Sequence, residues 1–393
     1  MSSVECLVNI AEIEGRGRSL VASHPLKAGQ VLLTDSPILL YSPLPFINPQ
    51  SHQHHLTPTS SYCNHCFKTL LQSPFSPCPS CSLLFCNTTC LSRASSSSHS
   101  PYVCQALSRL QNSSDLLLNH PLERHVQARF LIAAFNLSIV SPPHFQTLLS
   151  LQGTVTDNDA SNAHFLHSLI SAVCPPPSIP SIELTAALLA KDRLNAFGLM
   201  EPFNEQLERS VRAYGIYPKA SFFNHDCLPN ACRFDYVDSA HHNNTDMIVR
   251  ILHDVPQGRE ICLSYFPVNL DYSTRQKRLL EDYGFACDCD RCKVEANWSD
   301  IDNDKDGDDN NDEEDEVMDE DDEEEEDEDE QMVASGGAEN EGTDFPHAYF
   351  FVTYMCNVNN CGGTLAPLPP SSATPSNVME CNVCGNLKSN DAI

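Results

Sequence analysis

Apolar residues fall along this chain in two rhythms. Near the start, Val31-Leu32-Leu33 and Ile38-Leu39-Leu40-Tyr41 are short runs set among Gly15, Gly17, Pro25, Gly29 and Pro37, which predicts brief strands joined by turns. Midway the rhythm lengthens. Val126–Leu137 and Leu184–Ala190 are dense in good helix formers, with Ser141-Pro142-Pro143 and Pro175-Pro176-Pro177 as breaks, so residues 105–200 read as helices. Strand patterns return between 210 and 266, where Met247–Leu252 runs apolar and Glu260–Tyr265 alternates. Arg275–Tyr283 reads as one charged helix with Arg275–Arg278 facing solvent, and Lys191-Asp192-Arg193 as charge at a helix end. The predicted fold class is α+β.

Composition then separates the parts. From Pro43 to Ser61 the chain turns to Pro, Ser, His and Gln, a linker in which His52, His54 and His55, like His24 before it, read as solvated loop residues. The net charge of −30 is unevenly spread: Asp300–Glu330 holds 23 Asp and Glu against one Lys, a net of −22, which leaves −8 for the other 362 residues. That run is predicted to be disordered. The rest has enough apolar content for cores, and bulk positive charge for gripping nucleic acid is missing. Met1–Leu20 lacks a signal-peptide pattern, and no apolar stretch approaches the roughly 18 residues of a membrane span. The expected setting is intracellular, nucleus and/or cytoplasm, with no membrane partner.

Cysteine changes the picture most. There are 19, and inside a cell clustered thiols point to metal before disulfides. Residues 63–104 hold seven of them in 42 positions, too short a piece to bury much core without metal. Cys63-x2-Cys66, Cys78-x2-Cys81, Cys86-x3-Cys90 and His99-x4-Cys104 supply eight ligands, enough for two tetrahedral zinc ions. Cys287-x-Cys289-x2-Cys292 supplies three more, which Cys227 completes if the chain folds back. Cys356-x4-Cys361 with Cys381-x2-Cys384 forms a four-ligand, ribbon-like set. Cys6, Cys174, Cys232 and Cys262 are left over and read as buried free thiols.

Three further segments carry chemistry. Glu14-Gly-Arg-Gly-Arg18 alone is a hairpin turn. Ser221-Phe-Phe-Asn-His-Asp-Cys-Leu-Pro-Asn230 is far more specific, and Gln257–Tyr265 leads on into Tyr283-Gly-Phe-Ala-Cys-Asp-Cys-Asp-Arg-Cys292. In this order they resemble a SET domain with its post-SET zinc loop, and the cysteine-rich insert resembles a MYND finger, together the SMYD-like, plant type of SET-domain protein-lysine methyltransferase. The resemblance implies a split, β-rich SET domain: 5–60 the N-terminal part, 63–104 the MYND-type finger, 105–194 a helical insert, 195–266 the SET core and 267–295 the post-SET loop. An acidic linker over 297–345 and a zinc-ribbon-like unit over 346–393 follow, where SMYD-type chains usually continue into helical repeats.

By position, the resemblance assigns Cys63, Cys66, Cys86 and Cys90 to one zinc and Cys78, Cys81, His99 and Cys104 to another. It departs from the family in the eight residues between Cys90 and His99. With Cys227, Cys287, Cys289 and Cys292, and with Cys356, Cys361, Cys381 and Cys384, the expected total is three to four zinc ions. For S-adenosylmethionine the family positions fall on Gly15, Arg16, Gly17, Asn195, Asn224, His225, Tyr265 and Phe285, and for catalysis on Tyr265 and Tyr283. The implied activity is methyl transfer to a lysine of a protein substrate, histones among the candidates. The competing reading is a catalytically silent SET scaffold presenting its MYND finger to Pro-rich partners. A nucleic-acid-binding zinc protein is disfavoured, because Lys68 and Arg93 are the only cations between Cys63 and Cys104.

Overall fold

A computed structural model describes residues 7–43, 62–70, 74–112, 117, 120–175, 180–206, 209–303, 347–370 and 376–389. The expectations for Cys6, for His52, His54 and His55, and for the acidic run beyond Asn303 lie outside the described residues.

The chain opens with an antiparallel hairpin, Val8–Ile13 against Gly17–Ala22, with Ile13 opposite Gly17. Its turn takes Gly15 to φ 74° and Gly17 to φ 71°, the left-handed region where a side chain would be strained. Two three-stranded sheets follow. One orders Ala231–Phe234, Met247–Ile251 and Val31–Asp35; the other orders Leu39–Tyr41, Val211–Ile216 and Ala196–Met200. A short parallel pair, Asn224–His225 with Cys262–Leu263, sets Cys262 across from Asn224 and Leu263 across from His225. Of the alternating Glu260–Tyr265 stretch only these two residues form a regular strand; just before them Glu260 bridges Val21, and Ile261 N donates to the Leu20 carbonyl at 2.8 Å. Leu20, Leu26, Leu199, Ala213, Tyr217, Val249 and Ile261 fill the core between these layers.

The helical middle packs beside this β region. Its central helix, Leu122–Val140, buries residues on every side, among them Phe130, Leu131, Ala134 and Leu137, so no polar stripe is left to read. Asp157–Val173 starts with a capping box between Thr156 and Asp159, and Ile182–Asn195 starts on the Ser181 hydroxyl, which accepts from Leu184 N at 3.2 Å. That last helix runs straight into the strand Ala196–Met200, which places Asn195 at the boundary between helical and β parts. Lys191, Asp192 and Arg193 do stand at its end, and all three are held by partners. Asp192 is buried and accepts from Tyr41 Oη, Lys191 Nζ caps the carbonyls of Leu151 (2.6 Å) and Gly153 (3.1 Å), and Arg193 pairs with Asp159 at 3.2 Å.

A correction concerns Arg275–Tyr283. It is an α-helix over Tyr272–Arg278 that loosens into a π-turn over Leu279–Tyr283, and Arg275 is wholly buried. Asp290–Asn303 then continues as helix past residue 297, where the acidic linker was expected to begin. The C-terminal part has a short helix, Ala348–Tyr354, and a three-stranded antiparallel sheet of Leu365–Pro367, Val378–Cys381 and Leu387–Ser389. It shares a core with the first sheet: Phe350, Tyr354, Leu365 and Met379 pack with Phe234, Ile248, Leu252 and Val268. Arg250 and Glu380 form an ion pair across that seam at 2.9 Å. A Cβ on Gly29 would stand 2.4 Å from the Leu368 carbonyl oxygen, so glycine is what permits this close approach. No described helix is long and apolar enough to cross a membrane.

Candidate active site and cysteine clusters

The glycine hairpin, the end of the Ile182–Asn195 helix, the Asn224–His225 pair and the turn after Tyr283 enclose one cavity of about 570 Å³. Gly15, Arg16, Gly17, Asn195, Asn224, His225, Tyr265, Tyr283 and Phe285 all line it. These nine are drawn from five separate stretches of sequence. Nothing lies within 4 Å of a Cβ built on Gly15, so the backbone there is open to a ligand. Phe285 keeps 38% of its surface exposed at the rim, an unfilled apolar face beside polar groups.

Several of these side chains are already committed. Asn224 Nδ2 donates to Glu260 Oε1 (2.9 Å) and to the Arg16 carbonyl (3.3 Å). Asn195 Nδ2 donates to the Gln152 and Lys191 carbonyls at 2.7 and 2.8 Å, which leaves its amide oxygen for other use. Arg16 pairs with Glu260 through Nε at 2.8 Å and donates from Nη2 to the His225 carbonyl at 2.9 Å. His225 is buried; its Nδ1 accepts from Tyr265 N at 3.1 Å and its Nε2 lies 3.2 Å from Cys227 Sγ. Burial pushes its pKa down to about 3, so the ring is neutral. Tyr265 Oη donates to the Phe223 carbonyl at 2.9 Å, and its ring centre is 4.7 Å from that of Tyr283. Burial raises the pKa of both phenols, with Tyr283 and Cys262 adding to the effect on Tyr265 and Asp282 to that on Tyr283.

The metal-ligand candidates gather in four groups: Cys63, Cys66, Cys86 and Cys90; Cys78, Cys81, His99 and Cys104; Cys227, Cys287, Cys289 and Cys292; Cys356, Cys361, Cys381 and Cys384. Within each, all four ligand atoms lie within 4.8 Å of one another. A tetrahedral zinc with 2.3 Å bonds to sulfur separates its sulfurs by about 3.8 Å. The sulfurs of Cys66 and Cys86 are 3.8 Å apart, those of Cys78 and Cys104 3.6 Å, Cys227 and Cys292 3.5 Å, and Cys356 and Cys384 3.7 Å. All four groups fit zinc. The chain does fold back to bring Cys227 to the third, and the eight residues before His99 form a helix end that carries its Nε2 to 3.3 Å from Cys81 Sγ. Cys174, Cys232 and Cys262 are buried outside the clusters.

Sequence reasoning missed the residues that join these pieces. Glu260 binds the Ser19 hydroxyl (2.5 Å), Asn224 and Arg16 at once. Asn230 clamps the Glu260 carbonyl (2.8 Å) and Cys262 N (2.9 Å). Arg275 donates from Nε to Cys227 Sγ at 3.3 Å. The one signal for Arg275 was its place four residues before Leu279, since both are buried on one helical face.

A cavity of this size with convergent amides, aromatic rings and open backbone is of the class that holds a small molecule. The SET domain description matches residues 17–266, and the chain belongs to the SET-domain family. It is 56% identical, over 98% of its length and 96% of the relative's, to the histone-lysine N-methyltransferase ASHR2 of Arabidopsis thaliana. The histone-lysine N-methyltransferase ASHR1 of the same plant is 25% identical over 76% of this chain and 57% of the relative. Human histone-lysine N-methyltransferase SMYD3 is 30% identical over 35% of this chain and 29% of the relative.

Proposed function

We propose that this protein is an S-adenosylmethionine-dependent protein-lysine N-methyltransferase whose substrates include histones, working in the nucleus. The observation that supports this most is the single cavity lined by all nine residues expected for cofactor binding and catalysis. The near full-length likeness to a histone-lysine methyltransferase supports the substrate class. So does the run of net −22 at Asp300–Glu330, which attracts basic polypeptides.

In this reading the backbone at Gly15 and Gly17, with Arg16, Asn195, Asn224 and His225, holds the amino-acid and adenine ends of the cofactor, and Phe285 covers its base. S-adenosylmethionine supplies a methyl group on a positive sulfonium. The chain's task is alignment for in-line attack. Tyr265 and Tyr283 form the aromatic passage that admits the lysine and keeps water out. An apolar passage beside a positive charge lowers the pKa of the lysine amine from about 10.4, so the neutral nucleophile becomes available. Tyr265 acts as an orienting group and not as a base: its proton is given to the Phe223 carbonyl and burial keeps the phenol neutral. The oxygen's lone pairs are then free to accept from the substrate amine.

The four clusters hold structural zinc, and the segment 63–104 is a MYND-type finger whose partners are Pro-rich peptides. The full chain with S-adenosylmethionine and core histones, followed by mass spectrometry of the histones, tests the reading. Methylated lysine is the expected result. Tight cofactor binding without methylation of histones or of any cell-extract protein would favour the silent MYND adaptor.

A further inference from the structure

The third cluster reaches the cavity in two places: Cys287 lines it, and Cys227 lies against His225, which lines it too. Two groups inside the protein hold the Cys227 sulfur. His225 Nδ1 accepts the backbone N–H of Tyr265. A nitrogen that accepts carries no proton, so the ring's proton sits on Nε2, the nitrogen that faces Cys227 Sγ. The other group is Arg275. Its Nε donates to Cys227 Sγ at 3.3 Å, its Nη2 to Cys292 Sγ at 3.7 Å and Glu295 Oε2 at 2.5 Å, and its Nη1 to the Leu270 carbonyl at 2.6 Å. Glu295 also takes Arg291 Nε at 2.7 Å, while Arg291 donates to the carbonyls of Val268 and Leu270 at 2.6 and 3.0 Å. Arg275, Arg291 and Glu295 are all buried.

Four thiolates around a divalent zinc carry two net negative charges. In a dry interior that excess demands a counter-charge with hydrogen bonds to the sulfurs, and a guanidinium fork answers both needs where an ammonium answers only the first. We propose that Arg275 is a positioning residue: it neutralises and orients the Cys227–Cys292 side of the third cluster, and so holds Cys227 where His225, and through it the backbone of Tyr265, find their places. This rests on the zinc reading of that cluster.

The test uses the zinc-loaded full chain as wild type, Arg275→Met and Arg275→Lys. Pulsed thiol alkylation with mass spectrometry, in the presence of a chelator, reads which cysteines come free. The ¹⁵N signals of His225 report its tautomer. In Arg275→Met the third cluster should release zinc about 10–100-fold faster, with Cys63, Cys78 and Cys356 still protected as in wild type, and the Nε2-protonated signature of His225 should weaken. Arg275→Lys should release zinc at an intermediate rate. Wild-type release and an unchanged His225 signature in folded Arg275→Met would overturn the proposal. Should that variant not fold, Arg275→Lys carries the test alone: faster release supports the proposal and a wild-type rate overturns it. A wild-type chain with no zinc protecting Cys227, Cys287, Cys289 and Cys292 would instead overturn the zinc reading on which it rests.

Discussion

Removing one oxygen, by Tyr265→Phe, tests the division of labour inside the cavity. The ring keeps its packing against Tyr283 at 4.7 Å and against His225 at 5.2 Å. What is lost is the oxygen that meets the substrate amine and its bond to the Phe223 carbonyl, and leaving those partners unmet costs about 1–3 kcal/mol. If the cost falls on the geometry reached during methyl transfer, kcat drops roughly 5- to 150-fold, at about 1.4 kcal/mol per tenfold. The same loss lowers Tm by only a few degrees. Cofactor affinity should hold within about threefold, because the hydroxyl is directed at Phe223 and ground-state binding does not depend on it. Steady-state methyl transfer at saturating cofactor, paired with calorimetric binding, separates the two quantities. An intact kcat, or a deficit that vanishes as cofactor is raised, would refute the orienting role.

Two predictions concern the frame around the cavity. Burial raises the Asp192 pKa to about 7 in the folded chain, with Glu123 adding to the rise against the opposing Tyr41 bond. The folded state thus keeps a proton that the unfolded state gives up near pH 4, and stability should fall by something on the order of 4 kcal/mol as pH rises from about 4 to 7; in Asp192→Asn, denaturant titrations should show this slope flattened, and an unchanged slope would refute the assignment. Glu380→Ala strands buried Arg250 and should cost about 3–5 kcal/mol, read as early proteolytic release of the segment after residue 346; wild-type protease resistance would show that the ion pair does not hold the seam.

What could be read from the sequence was chemistry with local spacing. Two cysteines separated by two residues sit on one turn and reach one metal wherever they occur, so Cys63-x2-Cys66 or Cys381-x2-Cys384 needs no knowledge of the fold. Asn224-His225 stood out because polar residues following Ser221-Phe222-Phe223 need partners. Residues whose meaning is tertiary were opaque. Glu260 sits in an ordinary alternating stretch, yet three side chains converge on it. Lys191, Asp192 and Arg193 were legible as charge at a helix end, but nothing nearby announces their partners Tyr41, Gly153 and Asp159. Arg275 reads as one more cation among Arg278 and Lys277 until the third cluster closes over it. The docking of the C-terminal sheet was hidden for the same reason: Arg250 and Glu380 are 130 residues apart, and only Gly29 hints that another backbone comes close.

The most direct test of the central claim is calorimetric titration of S-adenosylmethionine into the zinc-replete full chain and its Asn224→Ala variant. The account predicts one saturable site in the wild type. In Asn224→Ala, where the amide bonds to Glu260 and to the Arg16 carbonyl are gone, affinity should fall roughly 5- to 150-fold, for about 1–3 kcal/mol. Well-folded wild-type protein that binds no S-adenosylmethionine would contradict it.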